Sequence, residues 1–305
     1  MSNKLSGTSV LVTGADGFIG AHLVARLIKE GAAVCGLVQA GRGNTRLKAL
    51  GVDHCSVAVN IGDTHSYAEI LNRFKPGFIF HLAAERNEAK LISTPNWSAT
   101  TGVALMQAAA SPRLQRFVTI GSSLEIPDPI SGLPIGPHGV AKARAMQAMQ
   151  AASIQVKVPF SALRTHYVYG PLHGAHKLIP TAIRAAATGI EMPATGANIR
   201  KRFVYVLDIV DACLQVLNLP ADPDTVYMTT SETQYSNHEV ILRIGQLMGK
   251  SIRMTPDAFS ARAWDRPNWE LPENTSASLP GWSARTDLDQ GLGATIAAEM
   301  CDASV

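Results

Sequence analysis

Residues 10–20 read Val10-Leu11-Val12-Thr13-Gly14-Ala15-Asp16-Gly17-Phe18-Ile19-Gly20. An apolar strand pattern comes first, glycines follow at every third position, and a helical pattern begins at Phe18. Gly14 allows a tight turn, Gly17 lets the backbone approach a ligand, and Gly20 lets the helix pack closely. Because the first N–H groups of a helix bind anions, this segment predicts a site for the diphosphate of a dinucleotide.

The alternation of strand and helix continues through the first two thirds of the chain. Short apolar runs predict strands at 10–12, 34–38, 78–82, 117–120 and 156–163, and helical spacing predicts helices at 18–30, 64–73, 97–110 and 139–152. Strands that alternate with helices form a parallel sheet covered on both faces. We therefore predict an α/β fold with a doubly wound parallel sheet of the Rossmann type, which binds ligands at the carboxyl ends of its strands.

The pattern becomes irregular after Tyr169-Gly170-Pro171, where Pro, Trp and Arg are more frequent. We predict a dinucleotide-binding domain over residues 1–170 and a smaller substrate-binding region over residues 171–200 and 231–305. Residues 201–230 contain a strand pattern at Phe203–Val206 and a helix from Asp208, and they are expected to return to the first domain.

Composition excludes several classes of function. The chain has 305 residues and 46% hydrophobic content, without a membrane-length apolar run or a secretory leader pattern, so we expect a cytoplasmic protein that does not enter membranes. A formal charge of +3 is too small for a nucleic-acid-binding surface. Cysteines without metal-ligand spacing predict reduced thiols and no metal site. They are Cys35, Cys55, Cys213 and Cys301.

The second predicted strand bears on the choice between NAD and NADP. It ends at Gln39 without the acidic residue that binds a ribose 2′-hydroxyl, and Arg42 follows. A guanidinium at this point accommodates a 2′-phosphate, which slightly favours NADP over NAD. The alternative is that Arg42 is a solvated loop charge and the cofactor is NAD.

Several motifs, in order along the chain, resemble those of the extended short-chain dehydrogenase/reductase family of nucleotide-sugar epimerases, dehydratases and ketoreductases. The matching segments are Thr13–Gly20, Phe80–Ala84, Val118–Ser123, Arg164 with Val168–Pro171, Arg202–Asp208, Arg262–Asp265 and Leu279–Trp282. The resemblance implies a nicotinamide dinucleotide cofactor and a nucleotide-sugar substrate. It also implies a homodimer formed through the helices at 97–110 and 139–152.

The resemblance implies contacts residue by residue. Cofactor contacts are expected from Gly14, Gly17, Phe18, Ile19, Gly20, Arg42, Asn60, Ile61, Leu82, Ala83, Ala84 and Lys142. Substrate contacts are expected from Arg86, Ser123, Tyr167, Lys201, Arg202 and Arg262. Cationic side chains suit phosphate groups because charge-assisted N–H contacts to phosphate oxygens are strong. For the run Arg200–Arg202, a solvated surface is the alternative.

The catalytic pattern departs from that of the family. Family members carry a Ser or Thr and a Tyr-x-x-x-Lys motif, whereas this chain has His138-Gly139-Val140-Ala141-Lys142. Residues four apart share a helix face, so His138 and Lys142 are expected at one site with Ser122, which lies at a strand end. Imidazole exchanges protons near neutral pH without the acidification that a tyrosine needs. His138 either replaces the tyrosine as the acid/base or marks a chain that has lost its redox activity.

Three functions follow from these patterns. The leading hypothesis is an NAD(P)-dependent reduction of a keto group on a nucleotide-linked 6-deoxy-4-keto sugar. Dehydration is disfavoured because Leu124 stands where sugar 4,6-dehydratases typically have an acid, unless Glu125 turns into the site. One alternative is a nucleotide-sugar 4-epimerase with tightly bound NAD. The other is a homologue that binds a dinucleotide or nucleotide sugar and has lost or non-redox activity because histidine replaces tyrosine.

Overall fold

The structure is a computed structural model, and it describes residues 5–63, 65–194, 199–255, 258 and 276–302. The strands are β1 (Ser9–Thr13), β2 (Ala33–Gln39), β3 (Ser56–Val59), β4 (Phe78–His81), β5 (Arg116–Ser122), β6 (Phe160–Thr165), β7 (Tyr167–Tyr169), β8 (Met192–Pro193), β9 (Arg200–Tyr205), β10 (Val226–Thr229), β11 (Gln234–Ser236), β12 (Met254–Thr255) and β13 (Ala277–Ser278). The helices are α1 (Phe18–Lys29), α2 (Thr45–Ala49), α3 (His65–Phe74), α4 (Glu88–Ser93), α5 (Trp97–Ala109), α6 (Gly136–Val156), α7 (Leu178–Thr188), α8 (Val206–Gln215), α9 (Asn237–Met248) and α10 (Leu288–Asp302).

A large parallel sheet confirms the predicted α/β class. Its strand order is β13-β10-β6-β5-β4-β1-β2-β3. β1 lies between β2 and β4, with Val10 opposite Val34 on one side and Phe78 on the other. The chain thus runs outward from β1 to β3 and then returns to the other side of β1 at β4. In a doubly wound sheet, this reversal is where ligands bind, at the carboxyl ends of the strands.

The described residues form two compact units. The first contains those within Met1–Arg164, Val210–Met228 and Asn274–Trp282, and the second contains those within Thr165–Ile209, Thr229–Glu273 and Ser283–Val305. The first unit is built on the large sheet, and its buried core includes Leu11, Leu37, Ile79, Phe117 and Phe160.

The second unit contains a three-stranded sheet in the order β11-β9-β7 and a pairing of β8 with β12. Of the residues 201–230 expected to return to the first domain, Val210–Met228 lie in the first unit. The strand near Phe203 does not join the large sheet, because β9 pairs in parallel with β7 and antiparallel with β11. Phe203 packs against the rings of Tyr167 and Tyr169, with centroids 5.0 and 6.3 Å away, which favours this pairing. Assigning one domain to the dinucleotide and the other to the substrate stays a prediction.

The predicted strand at 156–163 begins later, at Phe160. α6 continues to Val156 and ends at Lys157, which adopts a left-handed conformation with a φ of 55°. Among the described residues, none of the helices combines the length and apolar composition needed to cross a bilayer.

Candidate active site

The glycine-rich turn between β1 and α1 forms the first part of the site. Gly14 has a φ of +66°, and a Cβ at this position would lie 2.8 Å from the Ala83 amide nitrogen. A Cβ at Gly17 would lie 2.8 Å from the Gly14 carbonyl oxygen, and a Cβ at Gly20 would overlap the same oxygen. The turn therefore needs glycine at all three positions, and it brings the segment after β4 close to the start of α1.

The start of α1 offers backbone donors to an anion. Gly17 is the N-cap residue, and it has no side chain that could cap the first amides of the helix. Phe18, Ile19 and Gly20 form the first turn, where N–H groups lack acceptors inside the helix. These donors and the helix dipole suit a phosphate group. The geometry fits the predicted diphosphate, although the individual contacts stay predictions.

The segment after β4 is held against β1 by polar contacts. Thr13 Oγ1 lies 2.9 Å from His81 Nδ1 and accepts a hydrogen bond from the Ala83 amide over 3.2 Å. The Leu82 amide donates to the Thr13 carbonyl oxygen over 3.2 Å. Burial lowers the pKa of His81 to about 3, and Lys142 acts in the same direction. His81 is thus a neutral core residue that helps to place Leu82 and Ala83.

The loop after β2 carries cations close to the glycine-rich turn. β2 ends at the exposed Gln39, and the exposed Arg42 donates its amide hydrogen to the Gln39 carbonyl oxygen over 3.2 Å. Arg46, on α2, donates to the Asp16 carbonyl oxygen within the glycine-rich turn over 3.2 Å. Sequence patterns did not single out Arg46, because its contact with the turn depends on how α2 packs. The sequence feature that indicates Arg46 is its position four residues after Arg42, which is a predicted cofactor contact.

Asn60 and Ile61 follow β3. The Asn60 side-chain oxygen accepts a hydrogen bond from the Gly62 amide over 3.3 Å. The Asn60 backbone carbonyl oxygen accepts one from the Ser66 hydroxyl over 2.6 Å. Ile61 is partly buried against the core of the first unit. Both residues shape the turn after β3, and their predicted place near an adenine stays a prediction.

α6 brings two candidate catalytic residues to the end of β5. A Cβ at Gly139 would overlap the Leu124 carbonyl oxygen, so this glycine lets α6 approach the segment after β5. His138 lies in the first turn of α6, and Lys142 lies one turn later. Lys142 Nζ donates a hydrogen bond to the Ile120 carbonyl oxygen over 2.8 Å. Burial lowers the pKa of Lys142, and the Glu125 carboxylate opposes that shift.

A small cavity joins this region to the segment after β4. Its lining includes Ala83, Ala84, Glu125, Lys142, Met146 and Met149. The first unit therefore brings together three parts of the predicted site, namely the predicted cofactor contacts, the lysine and the turn after β5. In the sequence these parts lie far apart, after β4, after β5 and on the helix predicted at 139–152.

The two serines after β5 have different surroundings. Ser122 Oγ accepts a hydrogen bond from the Leu124 amide over 3.2 Å and caps the 3₁₀ turn Ser123–Glu125. Ser123 is buried, and among the described residues no group hydrogen-bonds to its hydroxyl. Ser122 therefore caps the turn through its acceptor site, and the O–H groups of both serines can still donate to another group.

Glu125 forms a buried ion pair that sequence patterns did not predict. Its Oε2 accepts hydrogen bonds from Arg164 Nε and Nη2 over 3.2 and 3.1 Å, and its Oε1 accepts one from the Ser122 amide over 2.6 Å. Arg164 Nη1 also donates to Ser276 Oγ over 2.9 Å. Burial raises the pKa of Glu125, and Arg164 and Lys142 oppose that shift. Gly121 is the local sequence feature that indicates this arrangement, because a Cβ at position 121 would overlap the carboxylate.

Arg86 follows the predicted cofactor contacts of β4 by two residues. Glu85 Oε1 accepts hydrogen bonds from the amides of Arg86 and Asn87, each over 2.8 Å, and fixes this turn. Arg86 lies in the same unit as Lys142 and lowers the pKa of that lysine. Its predicted contact with substrate stays a prediction. Arg262, a further predicted substrate contact, lies outside the described residues.

The remaining predicted substrate contacts lie together in the second unit. Lys201 Nζ is 5.6 Å from the centroid of the Tyr167 ring. Arg202 donates hydrogen bonds to the carbonyl oxygens of Ser231 and Glu232. Burial raises the pKa of Tyr167 to about 12, so this phenol stays protonated at neutral pH. The structure thus groups Tyr167 with Lys201, while Arg202 is held by the backbone.

Comparison with proteins of known structure identifies similar folds. The UDP-glucose 4-epimerase of Thermotoga maritima superposes with a TM-score of 0.81 at 20% identity, covering 97% of this chain and 100% of that chain. The UDP-glucuronic acid 4-epimerase of Bacillus cereus, in complex with UDP-glucuronic acid and NAD, gives a TM-score of 0.81 at 19% identity, covering 96% and 99%. These similarities show a shared fold.

Sequence comparison extends the likeness to the family level. The dTDP-glucose 4,6-dehydratase of Xanthomonas campestris pv. campestris is 26% identical over 94% of this chain and 91% of the relative. The UDP-glucose 4-epimerase of Mycolicibacterium smegmatis is 26% identical over 94% and 96%. The model of the NAD dependent epimerase/dehydratase family matches residues 10–228. The chain therefore belongs to the NAD dependent epimerase/dehydratase family.

Proposed function

We propose that this protein is an NAD(P)-dependent oxidoreductase that reduces a keto group on a nucleotide-linked 6-deoxy-4-keto sugar. The observation that carries the proposal is the position of Lys142. Lys142 lines one cavity with Ala83 and Ala84 and lies one helical turn from His138. Membership of the family supports both a nicotinamide cofactor and a nucleotide-sugar substrate.

The chain's own residues fit a dinucleotide. The glycine-rich turn and the first amides of α1 would hold the diphosphate, and the Ala83–Ala84 segment would lie beside the nicotinamide ribose. The bound nicotinamide supplies or accepts a hydride. Gln39 at the end of β2, with Arg42 and Arg46 nearby, favours a 2′-phosphate and hence NADP. The NAD found in the complexes of structural neighbours supports NAD as the alternative.

In the proposed reduction, hydride adds to the keto carbon while a proton adds to the keto oxygen, and the C=O group becomes CH–OH. The Ser123 hydroxyl would donate a hydrogen bond to that oxygen. A protonated His138 would deliver the proton as negative charge develops and would become a neutral imidazole. The Lys142 ammonium would stabilise that charge within a partly buried site, where electrostatic interactions are stronger than in water.

The substrate's nucleotide diphosphate would be bound by cationic and aromatic side chains. We assign the phosphate contacts to Arg262 and to Arg202 or its neighbour Lys201, because the family places an arginine in each of those motifs. Tyr167 and, in the first unit, Arg86 are proposed separately as further substrate contacts. Arginine and lysine suit phosphate oxygens by charge-assisted hydrogen bonding. The Arg202 hydrogen bonds to backbone carbonyls would hold its guanidinium in one orientation.

A 4-epimerase is the second candidate, and its support is the likeness to two 4-epimerases with TM-scores of 0.81. An epimerase would oxidise and then reduce the same carbon with one NAD molecule. Dehydration is less favoured, because Leu124 cannot accept a proton and both Glu125 oxygens already accept hydrogen bonds. A binding role without redox chemistry is the outcome that remains if neither activity is found.

The test is an assay of the purified protein with UDP- and dTDP-linked 4-keto-6-deoxyglucose. Stoichiometric loss of NADPH or NADH absorbance at 340 nm, with a deoxy sugar as product, supports the proposal. Interconversion of UDP-glucose and UDP-galactose without net cofactor consumption, with NAD released on denaturation, supports the epimerase. Binding of dinucleotide without turnover of either substrate contradicts both enzymatic proposals.

We also propose that the protein forms a homodimer through α5 and α6, as the family resemblance implies. Light scattering coupled to gel filtration tests this proposal, and a mass equal to one chain at micromolar concentration contradicts it.

A further inference from the structure

The buried carboxylate of Glu125 is paired with Arg164 and lines the same cavity as Lys142. Arg164 approaches it with two guanidinium nitrogens, and the side chains of this pair are only 13% and 1% exposed. Lys142 lines the same cavity as Glu125. Glu125 is also fixed by the Ser122 amide, and the absence of a side chain at Gly121 makes space for it. A carboxylate held this tightly acts through its charge, because it cannot leave its partners without a large cost.

The positive charge of Lys142 has a different consequence here than in relatives that use tyrosine. A nearby ammonium favours the ionised form of a phenol, but the same ammonium disfavours a protonated imidazole. His138 lies one turn from Lys142, so an uncompensated cation there reduces the population of the imidazolium that can deliver a proton. A negative charge near Lys142 offsets this effect and also stabilises the ammonium itself.

We propose that Glu125 is a positioning residue that serves as the buried counter-ion of Lys142, holds this lysine as an ammonium and reduces the effect of its charge on His138. This inference rests on the proposed function for its role in catalysis, although the charge relationship itself does not depend on turnover. Arg164 opposes the rise that burial causes in the pKa of Glu125, and Ser276 accepts a hydrogen bond from Arg164.

The direction of the electrostatic effects agrees with this role. Burial lowers the pKa of Lys142, Glu125 opposes the shift, and Arg86 adds to it. α5, which packs on α6, carries no titratable side chain. The other charged or titratable groups on the elements packed around Lys142 are His81, Glu88, Lys90, Arg116, His138, Arg144 and Arg164.

The test measures the charge state of Lys142 directly. Trace acetic anhydride is applied to the whole protein between pH 6 and 11, and acetylation of Lys142 is quantified by mass spectrometry relative to the exposed Lys29. In Glu125→Gln, the pH of half-maximal reactivity is expected to fall by about one unit, because an opposite charge has been removed. Glu125→Asp retains the charge and Ser276→Ala retains both charged groups, so neither is expected to shift it by a comparable amount.

The single substitution Glu125→Gln removes the carboxylate that pairs with the buried Arg164, which could unfold the protein. A second variant, Glu125→Gln/Arg164→Gln, is therefore measured beside it, and in this variant two amides replace the ion pair. A fall in the double variant supports the proposal even where the single variant does not fold. An unchanged half-reactivity pH in a folded variant that lacks the Glu125 charge overturns it.

A second readout separates this proposal from the proposed function. In an active enzyme, the alkaline limb of the pH profile for keto reduction is expected to move to lower pH in Glu125→Gln. A shift in lysine reactivity without any keto reduction in the unmodified protein supports the counter-ion and contradicts the reductase. Keto reduction with an unchanged lysine curve in folded Glu125→Gln supports the reductase and contradicts the counter-ion.

Discussion

Gly121 makes room for the carboxylate of Glu125: a Cβ at position 121 would overlap that carboxylate. The same carboxylate accepts hydrogen bonds from Arg164 and from the Ser122 amide. A missing side chain on β5 therefore allows a charged group to be buried in the cavity that Lys142 also lines. This relationship links the local sequence of a strand to the electrostatics of the candidate site.

Gly121→Ala is expected to destabilise the protein by about 1–3 kcal/mol, because overpacking displaces the buried ion pair. Urea unfolding monitored by circular dichroism measures the effect. Gly293→Ala is the matched control, since Gly293 lies in α10 and a Cβ there meets nothing within 4 Å. Equal stability of both variants would show that Glu125 occupies another position.

Gly17→Ala is expected to weaken NADH and NADPH binding about tenfold or more, a loss of about 1.4 kcal/mol. The new Cβ would lie 2.8 Å from the Gly14 carbonyl oxygen and would widen the turn that presents the first amides of α1. Isothermal titration calorimetry measures the change. Gly43→Ala, in the loop after β2, meets only a side-chain methyl of Thr45 at 3.9 Å and serves as the control. Similar dissociation constants for both variants contradict a diphosphate site at this turn.

The sequence predicted the parts of the fold that depend on neighbouring residues. The glycine spacing from Gly14 to Gly20 specifies a turn and a helix start, and both lie where the pattern predicted them. The place of β9 was predicted wrongly, because its pairing with β7 depends on distant aromatic residues such as Tyr167. Hydrophobic periodicity indicates a strand but does not identify its partner.

The candidate site shows the same limit. His138 and Lys142 were placed at one site because they lie one helical turn apart. The contact of Glu125 with Arg164 joins residues 39 positions apart, and no local pattern encodes it. Ser122 ends β5 and Ser123 follows it directly, so the sequence alone does not show that Ser122 rather than Ser123 accepts a hydrogen bond from the Leu124 amide.

Ser123→Ala is expected to reduce turnover of keto substrate by about 10²-fold, because an oxygen-binding donor is removed from the reacting group. Ser122→Ala is expected to lower stability by about 1 kcal/mol through loss of the cap and to change turnover much less. Steady-state kinetics and urea unfolding of both variants distinguish the two roles. A greater loss of turnover in Ser122→Ala would assign the reacting hydroxyl to Ser122, as the sequence match suggested.

Buried His81 predicts that the protein loses stability in acid. The pKa of His81 is lowered to about 3 in the folded state, whereas an unfolded chain has an ordinary value near 6.5. Between these values the unfolded chain binds more protons, so the free energy of unfolding falls as the pH drops below about 6.5. The contribution of this residue amounts to about 2 kcal/mol at pH 5 relative to pH 8.

Urea titrations at pH 8 and pH 5 measure this dependence. His81→Asn is expected to have a lower free energy of unfolding than the unmodified protein at pH 8. Its free energy of unfolding is expected to fall much less between pH 8 and pH 5, because no imidazole remains to bind a proton. Thr119→Val removes the hydroxyl that donates to the His81 carbonyl oxygen over 3.0 Å and leaves the imidazole in place, so it should retain the pH dependence. The same pH dependence in His81→Asn and the unmodified protein would rule out His81 as its source.

His138 provides the decisive test of the proposed chemistry. His138→Ala is expected to reduce turnover of keto substrate by about 10²- to 10⁴-fold, because general acid catalysis is removed, while the dissociation constant of NADPH changes little. His138→Tyr is the informative partner, since it restores the residue that the related motif carries. A loss of turnover in both variants supports a working imidazole next to Lys142. If His138→Tyr instead gains hydride transfer over the unmodified protein, the histidine marks a silenced reductase, and the role proposed here for His138 is wrong.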